Sequence, residues 1–236
     1  MQYRLFSAFR RLNLEEDKEG WLVLLLIISM GLFFRIWGIT WGFPRTDFNP
    51  DELNVFNISQ RLSLRDLNPH FFSYSGFTFY LNYLTTHILV HFIPMEKWTS
   101  ILIQRLWSVC WGVLTIIIVY KGAKELFQDK KTAYMASALM AITPLHIWDS
   151  HFGTTDISLT FWMTFAFFLG LRAYFKPTLK NFLMGGIIIG IAVGVKFNGI
   201  LASITILAAF VLATFEGRIY PGYRIITCLL LLSIGI

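Results

Sequence analysis

The feature that most constrains this chain is a succession of long apolar runs, such as 21–34, 101–120 and 182–195. A helix needs about 20 apolar residues to cross the roughly 30 Å hydrocarbon core of a bilayer. Runs of this length must satisfy their own backbone polar groups, which in lipid leaves helices or closed barrels. Only 14% of the residues are charged, against about 25% in soluble domains. The predicted fold class is therefore all-α, a polytopic membrane helical bundle. The formal net charge is +6, but the basic residues sit in short clusters between apolar runs. That pattern reads as membrane topology and argues against a nucleic-acid stripe. Cys110 and Cys228 both lie inside apolar segments and read as packing residues.

The apolar runs predict spans at 21–39, 101–120, 132–148, 157–174, 182–198, 200–215 and from 225 onward. A further stretch, 76–93, is ambiguous because it holds Asn82, His87 and His91. The basic loops decide its placement. Lys121, Lys124, Lys130 and Lys131 follow the second span, Lys176 and Lys180 the fourth, and Arg218 and Arg224 the sixth. With the N-terminal segment 1–20 cytoplasmic, all of these fall inside only if 76–93 does not cross. Residues 41–100 then form one long external loop, with 76–93 lying in or dipping into the interface. The run 225–236 rises only about 18 Å as a helix, so the chain is expected to be the N-terminal part of something longer.

This topology places Asp51, Glu52, Asp149, His151 and Asp156 on the external face, with Lys196 near it. Four motifs follow. Asn49-Pro50-Asp51-Glu52 has the form of a helix start, with Asn49 as N-cap, Pro50 in the first turn and Glu52 placed as a capping-box glutamate. A carboxylate there is also suited to accept a proton from an incoming hydroxyl. Ser150 to Asp156 forms a polar junction in which Thr155 or Asp156 caps the next span, and His151 reads alone as an interfacial residue. One histidine with scattered carboxylates does not specify a metal site, so a divalent cation stays open. Lys196 ends a glycine-rich span. A lysine inside an apolar segment is a functional candidate, or it snorkels to the surface. Gly186, Gly190 and Gly194, spaced by four, suggest a close helix seam. Arg105, outside and opening the second span, suits either an anchor or a phosphate partner. The triplet Asn57-Ile58-Ser59 carries little weight as a glycosylation acceptor, and no phosphate-binding loop, dinucleotide fingerprint or nucleophile elbow occurs.

In this order the motifs resemble the N-terminal module of C-type glycosyltransferases, in particular the protein O-mannosyltransferase and lipid A aminoarabinose transferase group. The resemblance rests on Pro50-Asp51-Glu52 after the first span, Arg105-Leu106, His151-x-x-x-x-Asp156 and Gly190-x-x-x-Gly194-x-Lys196. It implies an inverting transfer of a hexosyl or pentosyl unit from a polyprenyl-phosphate sugar to a hydroxyl of an acceptor protein, lipid or glycan on the external face. It implies Asp51 as the base with Glu52 beside it, and Asp156, His151, Lys196 and Arg105 around the substrate. The chain departs from the family where relatives carry a Lys-Pro-Pro or Tyr-Pro-Pro turn. Here the turn is Ser73-Tyr74-Ser75-Gly76-Phe77, without a donor-phosphate lysine. Two other classes fit the composition, a lipid-linked-sugar flippase or other transporter and a non-catalytic assembly subunit.

Overall fold

A computed structural model describes residues 18–219. Nearly all of the N-terminal segment and the run from 225 onward lie outside the described residues. The helices are α1 (Lys18–Ile36), α2 (Pro50–Arg61), α3 (Phe77–Leu89), α4 (Lys97–Phe127), α5 (Lys130–Ile142), α6 (Pro144–Ser150), α7 (Asp156–Phe175), α8 (Leu179–Val195) and α9 (Ser203–Phe215), with a 3-10 helix over Phe197–Ala202. No strand occurs among the described residues, as the composition predicts.

By length and composition, Lys97–Phe127, Asp156–Phe175 and Phe197–Phe215 are able to cross a membrane, and Gly20–Ile36 and Leu179–Val195 are shorter apolar helices. The protein is an integral membrane protein. Helix α4 runs through the centre of the bundle, with α1 and α5 packed on one side and α7 on the other. Helices α8 and α9 complete the α7 side, where Phe161, Phe168, Leu169, Ile188, Ile189 and Ile206 form the largest buried cluster. Helices α2 and α3 pair with each other through Val55, Ile58, Leu62 and Phe79 and rest against α4.

Several elements differ from the expected spans. The run 132–148 is two helices, broken at Thr143-Pro144. Pro144 cannot donate to the preceding turn, so carbonyls near the end of α5 need other partners. Arg35, fully buried on α1, supplies them. Its guanidinium donates to Ala141 O at 3.0 Å, to Met140 O at 3.2 Å and to Gly31 O at 2.8 Å, and it meets His146 Nδ1 at 2.8 Å. Gly112 makes room for this side chain, since a Cβ there would meet Ser150 Oγ at 2.5 Å and Arg35 Nε at 2.9 Å.

Of the expected seam of Gly186, Gly190 and Gly194, the last two are not close helix contacts. Gly190 faces open space, and a Cβ on Gly194 would reach Phe77 only at 3.8 Å. Tight approaches occur at Gly185, whose Cβ would run into Ile206 Cδ1, at Gly170, whose Cβ would lie 3.1 Å from Thr205 O, and at Gly199 against the backbone of Ala192. Within 76–93, α3 takes up 13 residues, a rise of about 20 Å. In the Asn57-Ile58-Ser59 triplet the Ser59 hydroxyl is buried and donates to Val55 O at 2.7 Å.

Candidate active site

The start of α2 forms as its residues predict. Asn49 Oδ1 accepts from Asp51 N at 3.0 Å and from Glu52 N at 3.2 Å, and Pro50 occupies the first turn, where its missing N–H costs nothing. This cap leaves the two acidic side chains pointing to different environments. Asp51 is exposed, whereas Glu52 is 1% exposed.

Glu52 does not close a capping box. Its carboxylate is held in a bidentate pair by Arg105, Nε to Oε1 and Nη2 to Oε2, both at 2.8 Å. Oε1 also accepts from Gly153 N at 2.7 Å. Arg105 Nη1 donates to Ile39 O and Trp41 O, each at 2.8 Å, and its guanidinium lies 4.6 Å from the Phe43 ring centre. Four hydrogen bonds thus engage a guanidinium that has five N–H groups, and the side chain is 1% exposed. The phosphate contact expected of Arg105 finds no free face here. Arg105 and Glu52 instead clamp together the turn after α1, the start of α2, α4 and the loop before α7. Gly153 is required at its place, because a Cβ there would meet Gln104 Cβ at 2.5 Å.

The clamp presents Asp51 beside a second string of groups. Tyr74 Oη donates to Asp51 Oδ1 at 2.8 Å. Lys196 Nζ stands 5.5 Å from the centre of the Tyr74 ring and bonds Asp156 Oδ1 at 2.9 Å. Lys196 is placed by the end of α8. It takes an extended conformation, φ −155° and ψ 140°, and the chain then turns into the 3-10 helix. Asp156 is the first residue of α7. Asp51, Asp156 and Lys196, which lie far apart in sequence, therefore meet around one tyrosine. The Asp51 hydrogen bond and burial push the Tyr74 phenol up to about 12, so it remains a donor across the physiological range. Burial, then the charge of Asp156, raises the Asp149 carboxyl above the usual range.

His151 does not join this group. Its ring nitrogens lie 2.8 Å from Ile147 O and 2.8 Å from Trp37 O, between the loop and the end of α1, and a neutral ring donates to one of the two. Among the described residues no three His, Cys, Asp or Glu side chains come close enough together to hold a metal ion. Tyr74 was missed as a site residue in the sequence. Its signal was the turn Ser73–Phe77, singled out in the sequence for the lysine it lacks.

A bundle of this arrangement, with the paired helices α2 and α3 and carboxylates at one end, has the C-type glycosyltransferase fold. The apo crystal structure of the Archaeoglobus fulgidus oligosaccharyltransferase matches it with a TM-score of 0.74 at 19% identity, covering 93% of this chain and 29% of that one. The family described as dolichyl-phosphate-mannose-protein mannosyltransferase matches residues 84–234, and the chain belongs to it. An Archaeoglobus fulgidus relative named dolichyl-phosphooligosaccharide-protein glycotransferase 2 is 23% identical over 183 residues, covering 72% of this chain and 29% of that protein. A Pseudomonas aeruginosa relative named undecaprenyl phosphate-alpha-4-amino-4-deoxy-L-arabinose arabinosyl transferase is 24% identical over 178 residues, covering 73% of this chain and 31% of that protein. The chain thus spans under a third of the length of these relatives.

Proposed function

We propose that this protein is a glycosyltransferase that moves one sugar from a polyprenyl-phosphate carrier to an acceptor hydroxyl on the external face of the membrane, with inversion. The observation that carries the reading is the meeting of an exposed carboxylate, Asp51, with an ammonium group, Lys196, across the single ring of Tyr74. The names of the relatives, which specify dolichyl- and undecaprenyl-phosphate-linked sugars, support the donor class.

Asp51 takes the proton of the acceptor hydroxyl as its oxygen attacks the anomeric carbon. The bond from that carbon to the phosphate oxygen breaks on the opposite face, and the electron pair leaves with the phosphate. A phosphate needs no protonating acid, unlike the alcohol released by a glycosidase. What it needs is compensation of the growing negative charge, and Lys196 is the group placed to provide it. Asp156 holds that ammonium until the donor arrives and keeps it pointed at the site. Glu52 and Arg105 act on Asp51 from behind, as the clamp that fixes its helix.

Membranes carrying the full-length protein, incubated with a labelled polyprenyl-phosphate sugar with and without acceptor, test the reading. Transfer that needs acceptor and is lost in Asp51→Asn is the expected result. Wild-type transfer by Asp51→Asn ends the base assignment, and movement of the donor across the membrane without transfer marks a flippase.

A further inference from the structure

The residue that brings the two halves of this site together is one that the sequence motifs passed over. Tyr74 lies in the loop between α2 and α3 and packs into the small core of that pair. Its ring contacts Phe71 at 5.5 Å between centres, and both belong to the cluster around Val55, Ile58, Leu62 and Phe79. The aromatic body is therefore fixed, and both of its functional faces are in use. The hydroxyl reaches Asp51 Oδ1, and the π face lies under the Lys196 ammonium.

An exposed aspartate has free rotation about two bonds, and a base must meet its proton within hydrogen-bond reach. A donor bound to one carboxylate oxygen orients the other. Asp51 has Tyr74 on Oδ1, which leaves Oδ2 to face an incoming hydroxyl. Lys196 has the complementary problem, because Asp156, the partner that holds it, is half exposed. An aromatic face attracts a cation without neutralising it, so it steadies the ammonium while leaving its charge available to a phosphate.

We infer that Tyr74 is a positioning residue of the transferase site, orienting the base Asp51 through its hydroxyl and the cation Lys196 through its ring. This rests on the function proposed above.

Tyr74→Phe separates the two roles, since it removes the hydroxyl and keeps the ring. In the full-length protein it is expected to lower kcat by about tenfold to a hundredfold, the scale of a small misplacement of a catalytic group. The KM for the polyprenyl-phosphate sugar is expected to stay within about twofold and the thermal midpoint to stay unchanged, because a removed hydroxyl leaves the ring–ammonium contact in place. Tyr74→Leu removes both functions and is expected to raise the donor KM as well, by about fivefold or more, the size of a lost cation–π contact. The inference is overturned if Tyr74→Phe transfers sugar at the parental rate. It is also overturned if kcat, KM and thermal midpoint all shift together, which is the pattern of a packing defect. Asp51→Asn, assayed alongside, fails separately. Parental activity in that variant removes the base, whereas its inactivity with an unaffected Tyr74→Phe removes only the tyrosine.

Discussion

Replacing Arg105 by Met leaves Glu52 as a buried carboxylate without its cation. The side chain lost makes two bonds of 2.8 Å to Glu52 and donates to the carbonyls of Ile39 and Trp41. Both partners of the ion pair are about 1% exposed, so water cannot take over. Breaking a buried pair from one side costs about 3–5 kcal/mol. At about 2–4 °C per kcal/mol for a chain of this size, the thermal midpoint falls by about 6–20 °C. Thermal unfolding of the detergent-purified full-length protein, without donor, reads this directly. The double variant Glu52→Leu/Arg105→Met removes both charges and recovers part of the loss. The two carbonyls are orphaned in both variants, and recovery is incomplete because the double variant also takes the acceptor from Gly153 N, at about 1–3 kcal/mol. The expected order is parent, then double variant, then Arg105→Met. A phosphate-binding Arg105 gives a different pattern, in which the ligand-free midpoint is unmoved and the donor KM rises. An unmoved midpoint refutes the clamp.

Other expectations concern single groups. Asp149 has a folded-state pKa above its ordinary value, because burial and Asp156 disfavour its charge. The penalty is present where the carboxylate is ionised and fades as pH falls through the folded value toward the ordinary one near 3.9. Asp149→Asn is therefore expected to raise the thermal midpoint at pH 7–8 and to lose that gain near pH 4, and an equal gain at both pH values contradicts the assignment. Asn49→Ala removes the oxygen that caps α2 and is expected to cost about 1 kcal/mol of stability, with transfer activity falling as Asp51 loosens. Arg35→Met orphans the carbonyls at the Thr143-Pro144 break, so SDS-induced unfolding is expected at lower denaturant by at least about 2 kcal/mol. A parental denaturation midpoint for that variant argues against Arg35 as the partner of the break.

The elements that long apolar runs encode were legible in the sequence, because a lipid-facing helix has no alternative way to satisfy its backbone. So was the cap at Asn49, which needs only local geometry. The break at Thr143-Pro144 was not read, although Pro144 is visible, because the hydropathy of 132–148 runs through it. What settles the break is Arg35, more than a hundred positions away. Arg105 was marked as an anchor or a phosphate partner and Glu52 as a capping-box glutamate, but neither as the partner of the other. Glu52 three residues after Asn49 fits a capping box, and only the close approach of α4 and the Gly153 loop turns its carboxylate inward. Lys196 and Asp156 were singled out separately. Their contact depends on α8 ending one residue before the lysine, a boundary that the pattern 182–198 places three residues later.

The Glu52–Gly153 hydrogen bond joins residues 101 positions apart. At a synthesis rate of about 5–20 residues per second, Glu52 waits about 5–20 s between its own emergence and that of its last partner. Over that interval α2 has its cap but not its anchor. The helix that carries the carboxylate proposed to do the chemistry gains that anchor only after α4 and the loop ahead of α7 have come together. A chain that inserts these segments in the wrong register leaves an unpaired acid beside the membrane, and assembly errors and loss of activity share one cause.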